Sequence, residues 1–514
     1  MMERIWKKVW PVFLILFVTA TGCKKDTSDL EIDPSKPAIV KSLALKINGA
    51  ACALVDSTYY YPVSLGASLN NYTLSFDSTL TSVQIGDVKV ANGAAVNYAL
   101  KTNQEVQIQA TDKENRTLNY KLLITGLPIV QLSTRQDIGD DEIGADFTLI
   151  NPDFAAQKSQ LQIASKINIK IRGASSRAYP KKSYAVKLVD NSGEDIDQSL
   201  MGLRDDNSWI LDAMYIDQSR MRNRLSTDIW NSFNNVPYID SEPKALNGTR
   251  GYMVEVFLNN EYAGVYCLTE KLDRKQLKIK KEYGVMYKAN ERGLEVDLKG
   301  VAPYNNNSDT WGGWELEYPE LGDTPAPDWK YLYDFVGFVS KTSQQDFVSE
   351  APDKVDINNM VDYYIFMNIL SAQDNQSKNT FLSFYDNRKN NKFFYSVWDL
   401  DATLGRLWKG EKSDNFIIGA GDNNLLDRLV SWNVGGTREL IKQRWSNLKY
   451  NQLSKNAFDK RVEAYRNQLV STNAFAREKA TWNNFEQDLN TETSYMKSWY
   501  SAQYDKLDAY INNL

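Results

Sequence analysis

The sequence predicts an α+β chain that is β-rich in its first quarter, mixed through its middle and helical towards its end. Three observations predict it. Residues 38–126 alternate apolar and polar in short runs, as in Glu105-Val-Gln-Ile-Gln-Ala and Leu118-Asn-Tyr-Lys-Leu-Leu-Ile, broken by Gly, Asn and Asp turns. Residues 127–405 mix such runs with segments of helical period at 217–234, 328–349 and 356–372. From 424 to 514 the period is helical, and Trp432, Trp445, Trp482 and Trp499 fall at amphipathic positions, which reads as core rather than as a sugar platform. A chain of 514 residues exceeds one ordinary core, so two or three domains are expected.

Composition narrows the chemistry. Hydrophobic residues make up 42% and charged residues 24%, the balance of a globular protein. The net charge of −5 offers no bulk attraction for nucleic acid, so no nucleic-acid partner is expected. There is no histidine. That excludes histidine bases, His-ligated zinc and every Ser-His or Cys-His triad. Acid–base work falls to Asp, Glu, Lys, Tyr or Cys.

The first element is an export signal over 1–23. Arg4, Lys7 and Lys8 precede an apolar run, 9–18, too short to span a bilayer, and Ala20-Thr21-Gly22-Cys23 follows. Small residues leading into a cysteine read as a bacterial lipobox, with lipid on Cys23; a plain secretory signal is the alternative. The expected address is the bacterial cell envelope, lipid-anchored at the outer membrane or cell surface. Residues 24–37 are polar, with two prolines, and read as a tether. Cys52 and Cys267 are far apart, and no disulfide is expected.

The strand pattern of 38–126 fits an immunoglobulin-like sandwich with no catalytic constellation, a spacer rather than a binding module. From 127 to 514 the layout is that of a two-lobed, protein-kinase-like domain with a helical C-terminal part. Ile167, Ile169 and Ile171 share one face of a strand, and Ala185 and Lys187 share a face of the next. Between them lies Gly173-Ala-Ser-Ser-Arg-Ala-Tyr-Pro-Lys-Lys. A hairpin whose small-residue turn covers phosphates, followed by Ala-Val-Lys, is the nucleotide-lobe layout of a kinase. One glycine stands where kinases carry three, so Ser175 and Ser176 and backbone N–H groups would complete the cradle with Arg172. Lys187 is the expected phosphate lysine, with Lys181 and Lys182 as rivals; the structural alternative is an amphipathic hairpin with solvated lysines. The helix 217–234, capped by Asp217, carries the stripe Met221, Leu225, Ile229 and Phe233. It offers Arg222 rather than a glutamate, and Arg222 is a candidate for a phosphate or a loop carboxylate. A hairpin about Asn259-Asn260 follows, flanked by Glu255 and Glu270. Either glutamate could meet Lys187, Glu270 could stand at an adenine-binding hinge, and both could be surface carboxylates. Residues 288–328 read as an irregular insertion.

The centre of the domain is 374–405. Asp374 and Asn379 stand five apart on a polar run, and a hairpin after them ends in Trp398-Asp-Leu-Asp. A loop supplying Asp and Asn, then a hairpin ending on Asp, is the layout of a kinase catalytic loop and metal loop. Phosphoryl transfer needs carboxylate and amide oxygens for Mg²⁺ and one carboxylate near the attacking hydroxyl. Asp374 is the catalytic candidate, and Asn379, Asp399 and Asp401 are the metal candidates. The structural alternative is that these residues cap turns.

These segments carry a resemblance. Asp374 to Asn379 with Trp398-Asp-Leu-Asp-Ala-Thr-Leu-Gly405 resembles the CotH family, named for a spore-coat protein and related to atypical protein kinases. Ile171-Arg-Gly-Ala-Ser-Ser with Pro180-Lys-Lys-Ser-Tyr, Met221-Arg-Asn, and Val254-Glu-Val-Phe-Leu-Asn-Asn-Glu-Tyr-Ala-Gly-Val-Tyr with Thr269-Glu-Lys-Leu-Asp agree with it, in family order. The resemblance implies ATP with Mg²⁺ (or Mn²⁺) as cofactors and a protein substrate. Two other readings remain at this stage. One is a non-catalytic adhesin or surface-ligand-binding lipoprotein on a kinase-like scaffold. The other is a glycoside hydrolase using paired carboxylates, ranked last because those carboxylates come with Asn379.

Overall fold

A computed structural model describes residues 42–234, 236–320, 328–389, 391–414 and 417–514. The signal 1–23 with Cys23, the tether 24–37, and residues 321–327 of the expected insertion lie outside them. The architecture is mixed α+β, with sheets first and helices last.

Residues 42–125 form two principal sheets. One has six strands, in the order Ala53–Val55, Thr58–Pro62, Thr117–Thr125, Glu105–Asp112, Leu80–Ile85, Val88–Val90; the other has four short strands, among them Lys46–Ile47 and Tyr72–Ser75. Alternation decides their faces: Val106, Ile108 and Ala110 are buried while Gln107 and Gln109 are exposed, and Ile108 pairs with Tyr120. Leu45, Ile47, Tyr59, Tyr72, Leu74, Ile85, Ile108 and Leu122 make a core of their own.

This region runs without a break into a closed seven-stranded barrel. Its strands are, around the ring, Ile129–Ser133, Ile143–Ile150, Gln162–Arg172, Ser183–Val189, Ser208–Asp212, Glu261–Glu270 and Gly251–Leu258. Closure comes from a parallel pairing of Ile129–Ser133 with Gly251–Leu258. Phe147, Ile167, Ile169, Val186, Leu188, Trp209, Leu211, Val256 and Tyr266 form one buried cluster, the alternate residues that face inward along each strand. Asn259 and Asn260 both take positive φ, 50° and 64°, as a two-residue hairpin turn demands. Ala51 N–H donates to Gln162 Oε1 (3.0 Å), and Asn103 Nδ2 donates to the Ser471 carbonyl (2.7 Å). These bonds tie the N-terminal sheets to the barrel and to the C-terminal helices, and residues 42–514 form one compact unit.

The helix expected over 217–234 spans Arg222–Asn231, five residues later at its start. Asp217 is not its N-cap residue; its carboxylate reaches across a turn to the N–H groups of Met221 (2.7 Å) and Arg222 (2.6 Å). Met221, Leu225, Ile229 and Phe233 are buried as one stripe. The stretch 288–328 is less irregular than expected. Thr310–Trp311 and Trp314–Tyr318 join Val285–Ala289, Thr380–Phe384 and Phe394–Val397 in a five-stranded sheet. Trp311 and Trp314 are buried there. The expected helix 328–349 is two helices, Lys330–Lys341 and Gln344–Lys354, because Ser343 caps the second.

Ile357–Leu370, capped by Asp356, is buried almost all round. It ends at Ser371 in the left-handed region (φ 47°) and delivers the chain to Asp374. Among the described residues five further α-helices close the fold, the longest Leu489–Asn512. Trp445 and Trp499 are core residues. Cys52 and Cys267 are both free and buried.

Candidate functional site

A cleft of about 840 Å³ opens between the barrel and the five-stranded sheet. The strand Gln162–Arg172 carries Arg172 and Gly173 to its edge, and a 3-10 turn, Ser175–Ala178, follows. Gly173 has φ +103°, and a Cβ there would lie 1.9 Å from Ser176 Oγ. A side chain there would strain the backbone and push Ser176 Oγ aside, so glycine suits this turn. Arg172 makes no salt bridge among the described residues and lies over Trp398, 5.5 Å from the ring centre. Arg172, Gly173, Ser175 and Ser176 all line the cleft.

Of the three candidate lysines, Lys181 lines the cleft. It is fully buried, donates to the Val265 carbonyl and lies 2.8 Å from Glu478 Oε1. Burial pulls its ammonium down to about 8, with Glu478 opposing the shift and Arg220 adding to it. Lys187 is placed elsewhere. It alternates with the buried Val186 and Leu188, so it points away from the barrel interior, and it pairs with Asp195 at 2.9 Å. Lys182 donates to the Arg177 carbonyl and does not line the cleft.

The glutamate beside Lys181 comes from neither expected position. Glu255 pairs with Arg477 and Glu270 with Arg250, and neither lines the cleft. Glu478, on the helix Ala474–Thr481, takes Lys181 and Arg220 Nε, each at 2.8 Å, and accepts the Val265 N–H at 2.7 Å. Gly264 makes the room: its φ is +113°, and a Cβ would lie 2.3 Å from Glu478 Oε2. Burial alone would raise the Glu478 carboxyl, but the two cations outweigh it and hold it below the usual range.

Arg222 turns away from the cleft into a buried network, at 2.8 Å from Asp217 and 2.6 Å from Glu492. Its neighbour Asn223 faces the cleft instead. Asn223 Nδ2 donates to Asp212 Oδ2 (2.9 Å), and its Oδ1 accepts the Leu400 N–H (3.1 Å). Asn223 thus ties the end of the strand Ser208–Asp212 to the 399–401 segment.

Asp374, Asn379, Asp399 and Asp401 all line the cleft. Asn375 Nδ2 holds their two segments together by donating to the carbonyls of Asn379 and Trp398, each at 2.7 Å. Asn379 and Asp399 both sit in the left-handed region, φ 52° and 54°. That conformation costs a non-glycine residue about 1 kcal/mol or more, and such residues gather at functional sites. Asp374 pairs with Arg292 at 2.9 Å. Among the described residues, the side chains of Asn379, Asp399 and Asp401 make no hydrogen bond or salt bridge. Capping aspartates in this same chain do: Asp273, Asp356 and Asp488 each accept a backbone N–H. The turn-cap account therefore fails for Asp399 and Asp401.

The electrostatics agree. The protein packed round Asp399, and then the charge of Asp212, push its carboxyl up to about 6; Arg172 and Lys378 pull against them. Asp399 is open to the cleft, so water there limits the burial effect, while the repulsion from Asp212 and Asp374 remains. Asp401 is raised well above the carboxylate range by burial and by Asp399, Asp212, Asp217 and Asp374. Carboxylates gathered so that mutual repulsion outweighs the nearby cations are the donor chemistry of a divalent-metal site. Among the described residues no three His, Cys, Asp or Glu side chains are spaced to enclose a metal by themselves. Mg²⁺ does not require that: it takes one or two carboxylates and completes its octahedron with phosphate oxygens and water.

The motif order, this cleft and its donor set point to one family, and the comparison decides it: the model of the CotH kinase protein family matches residues 169–507. The chain belongs to that family. A comparison with curated proteins gives no match. The CotH match begins inside the barrel and ends in the last helix, so it takes in every cleft residue named above. Sequence reasoning missed Asp212, Asn223, Arg292, Lys378 and Glu478. Asp212 had a signal, since Trp209-Ile-Leu-Asp ends an apolar run on an acid just as Trp398-Asp does; Glu478 had none.

Proposed function

We propose that the chain is an atypical protein kinase that transfers the γ-phosphoryl group of ATP to a hydroxyl of a protein substrate. One observation carries this: among the described residues, the side chains of Asn379, Asp399 and Asp401 face the cleft with no hydrogen bond or salt bridge, beside a buried Lys–Glu pair. In this reading the barrel and the five-stranded sheet with its helices are the two lobes of a kinase-like fold, and 42–126 is an immunoglobulin-like spacer. Asp399, Asp401 and Asn379 would hold Mg²⁺ (or Mn²⁺), and the metal would supply positive charge on the phosphates as the transfer proceeds. Lys181, Arg172 and the N–H groups of the Gly173 turn would cradle the phosphates. Asp374 would orient the acceptor hydroxyl and take its proton as the hydroxyl oxygen bonds to the γ-phosphorus and ADP leaves.

The full-length protein in detergent, given labelled ATP with Mg²⁺ or Mn²⁺, should label an added protein substrate. No transfer and no metal-dependent nucleotide binding at millimolar ATP would instead support a surface-binding lipoprotein on the same scaffold. We also place the protein in the bacterial cell envelope, held by lipid on Cys23. Cys23→Ser should release it to the soluble fraction; a variant that stays as firmly membrane-bound as wild type would overturn the anchor.

A further inference from the structure

Arg292 stands at the approach to Asp374. Its Nη2 is 2.9 Å from Asp374 Oδ1 and 3.5 Å from the Gln373 carbonyl, and its Nη1 is 3.9 Å from Asp422. The Arg292 side chain is 50% exposed and the Asp374 side chain 17%. The guanidinium is therefore the more open partner of the pair. The backbone before it is fixed, because the N–H groups of Asn290 and Glu291 both bond the Gly313 carbonyl, at 2.9 and 3.0 Å. The side chain is long, half in water and held by contacts that are weak at such exposure. Asp422 also has Lys299 as a partner, at 3.3 Å, so losing Arg292 leaves no bare charge there.

An acceptor hydroxyl that hydrogen-bonds to Asp374 must share that carboxylate with Arg292 or displace it. The flanking charge of the acceptor decides which. A carboxylate beside the hydroxyl offers Arg292 a new partner and frees Asp374. An ammonium beside the hydroxyl is repelled by Arg292, and if it displaced Arg292 it would pair with Asp374 itself and occupy the base. Lys378 lines the same cleft and makes no salt bridge among the described residues, so a second cation meets an incoming anion.

We infer that Arg292 is a specificity-determining residue that selects acidic acceptor segments, a hydroxyl flanked by Asp or Glu. This rests on the phosphotransferase reading, and the experiment separates the two.

Two fluorescent peptides, alike except that one serine is flanked by glutamates and the other by lysines, are titrated with full-length protein in detergent with excess Mg²⁺, so that bare Asp399 and Asp401 do not themselves draw the lysine peptide. The acidic peptide should bind about tenfold tighter to wild type, the size of one charge-assisted contact at a half-open site. Arg292→Glu should erase or reverse that preference, and Arg292→Lys should keep it with melting temperature unchanged, since the pair is half-exposed. Equal binding of the two peptides, tighter binding of the lysine peptide, or a preference that Arg292→Glu leaves intact would overturn the inference. Phosphoryl transfer to the acidic peptide is measured alongside. Its absence with the binding preference present would overturn the phosphotransferase reading alone.

Discussion

Glu478 and Glu492 are fully buried, and each faces two cations: Lys181 and Arg220 for the first, Arg222 and Arg406 for the second. Asp399 and Asp401 stand in the cleft with no hydrogen bond or salt bridge among the described residues. The shifts are opposite. Burial would raise Glu492, yet Arg222 and Arg406 outweigh it and hold the carboxyl down to about 2. Asp399 is pushed up to about 6 by the protein around it and by Asp212. A buried charge is tolerated when it is paired, and an unpaired one is a standing cost. The acids buried against the C-terminal helices are matched by cations, whereas Asp399 and Asp401 in the cleft are not.

The strongest way to break that contrast is to remove one acid of each kind. Glu492→Ala leaves Arg222 and Arg406 buried together, and denaturant unfolding should show a loss of about 3–5 kcal/mol. A loss under about 1 kcal/mol, the range of a surface pair, would mean the network does not hold the helices. Asp399→Ala should do the reverse. Transfer should fall by about 10²–10³, while melting temperature holds or rises because repulsion with Asp401 and Asp212 is relieved. A lower melting temperature with unchanged transfer would make Asp399 structural after all.

Gly264→Ala sharpens the boundary between the two sets. Its Cβ would lie 2.3 Å from Glu478 Oε2, on a backbone at φ +113°. The strain costs about 1–3 kcal/mol, and it drives Glu478 off Lys181. Both unfolding stability and nucleotide affinity should drop; loss of stability with full affinity would show that Lys181 needs no fixed partner.

The smallest expected effect is on pH. Asp399 has a raised carboxyl, so without metal its contribution to stability declines as pH rises from 3.8 through about 6. A proton on Asp399 excludes the cation, so the melting-temperature gain from Mg-ATP should shrink as pH falls from about 7.5 to 5. Glu492 has a lowered carboxyl, so its contribution is complete above 4.5 and is lost as pH falls through about 2. A Mg-ATP gain that stays constant down to pH 5 would remove Asp399 from the metal site.

Local structure is legible in the residues alone. Alternation placed Val106, Ile108 and Ala110 inward, Asn259-Asn260 marked a hairpin turn, and the spacing of Asp374, Asn379 and Asp399 named three cleft residues, because pleat and turn chemistry act between near neighbours. Which partner a face meets was decided by tertiary structure. Lys181 rather than Lys187 reaches the cleft because one precedes its strand and the other points away from the barrel. Asn223 rather than Arg222 faces the cleft because adjacent helix positions point about 100° apart. Glu478 reaches Lys181 across 297 residues, through a barrel closed by Ile129–Ser133 on Gly251–Leu258. No local period encodes such a meeting. It exists only once the ring has closed and the helix has packed, when a buried lysine must find a carboxylate or lose its charge.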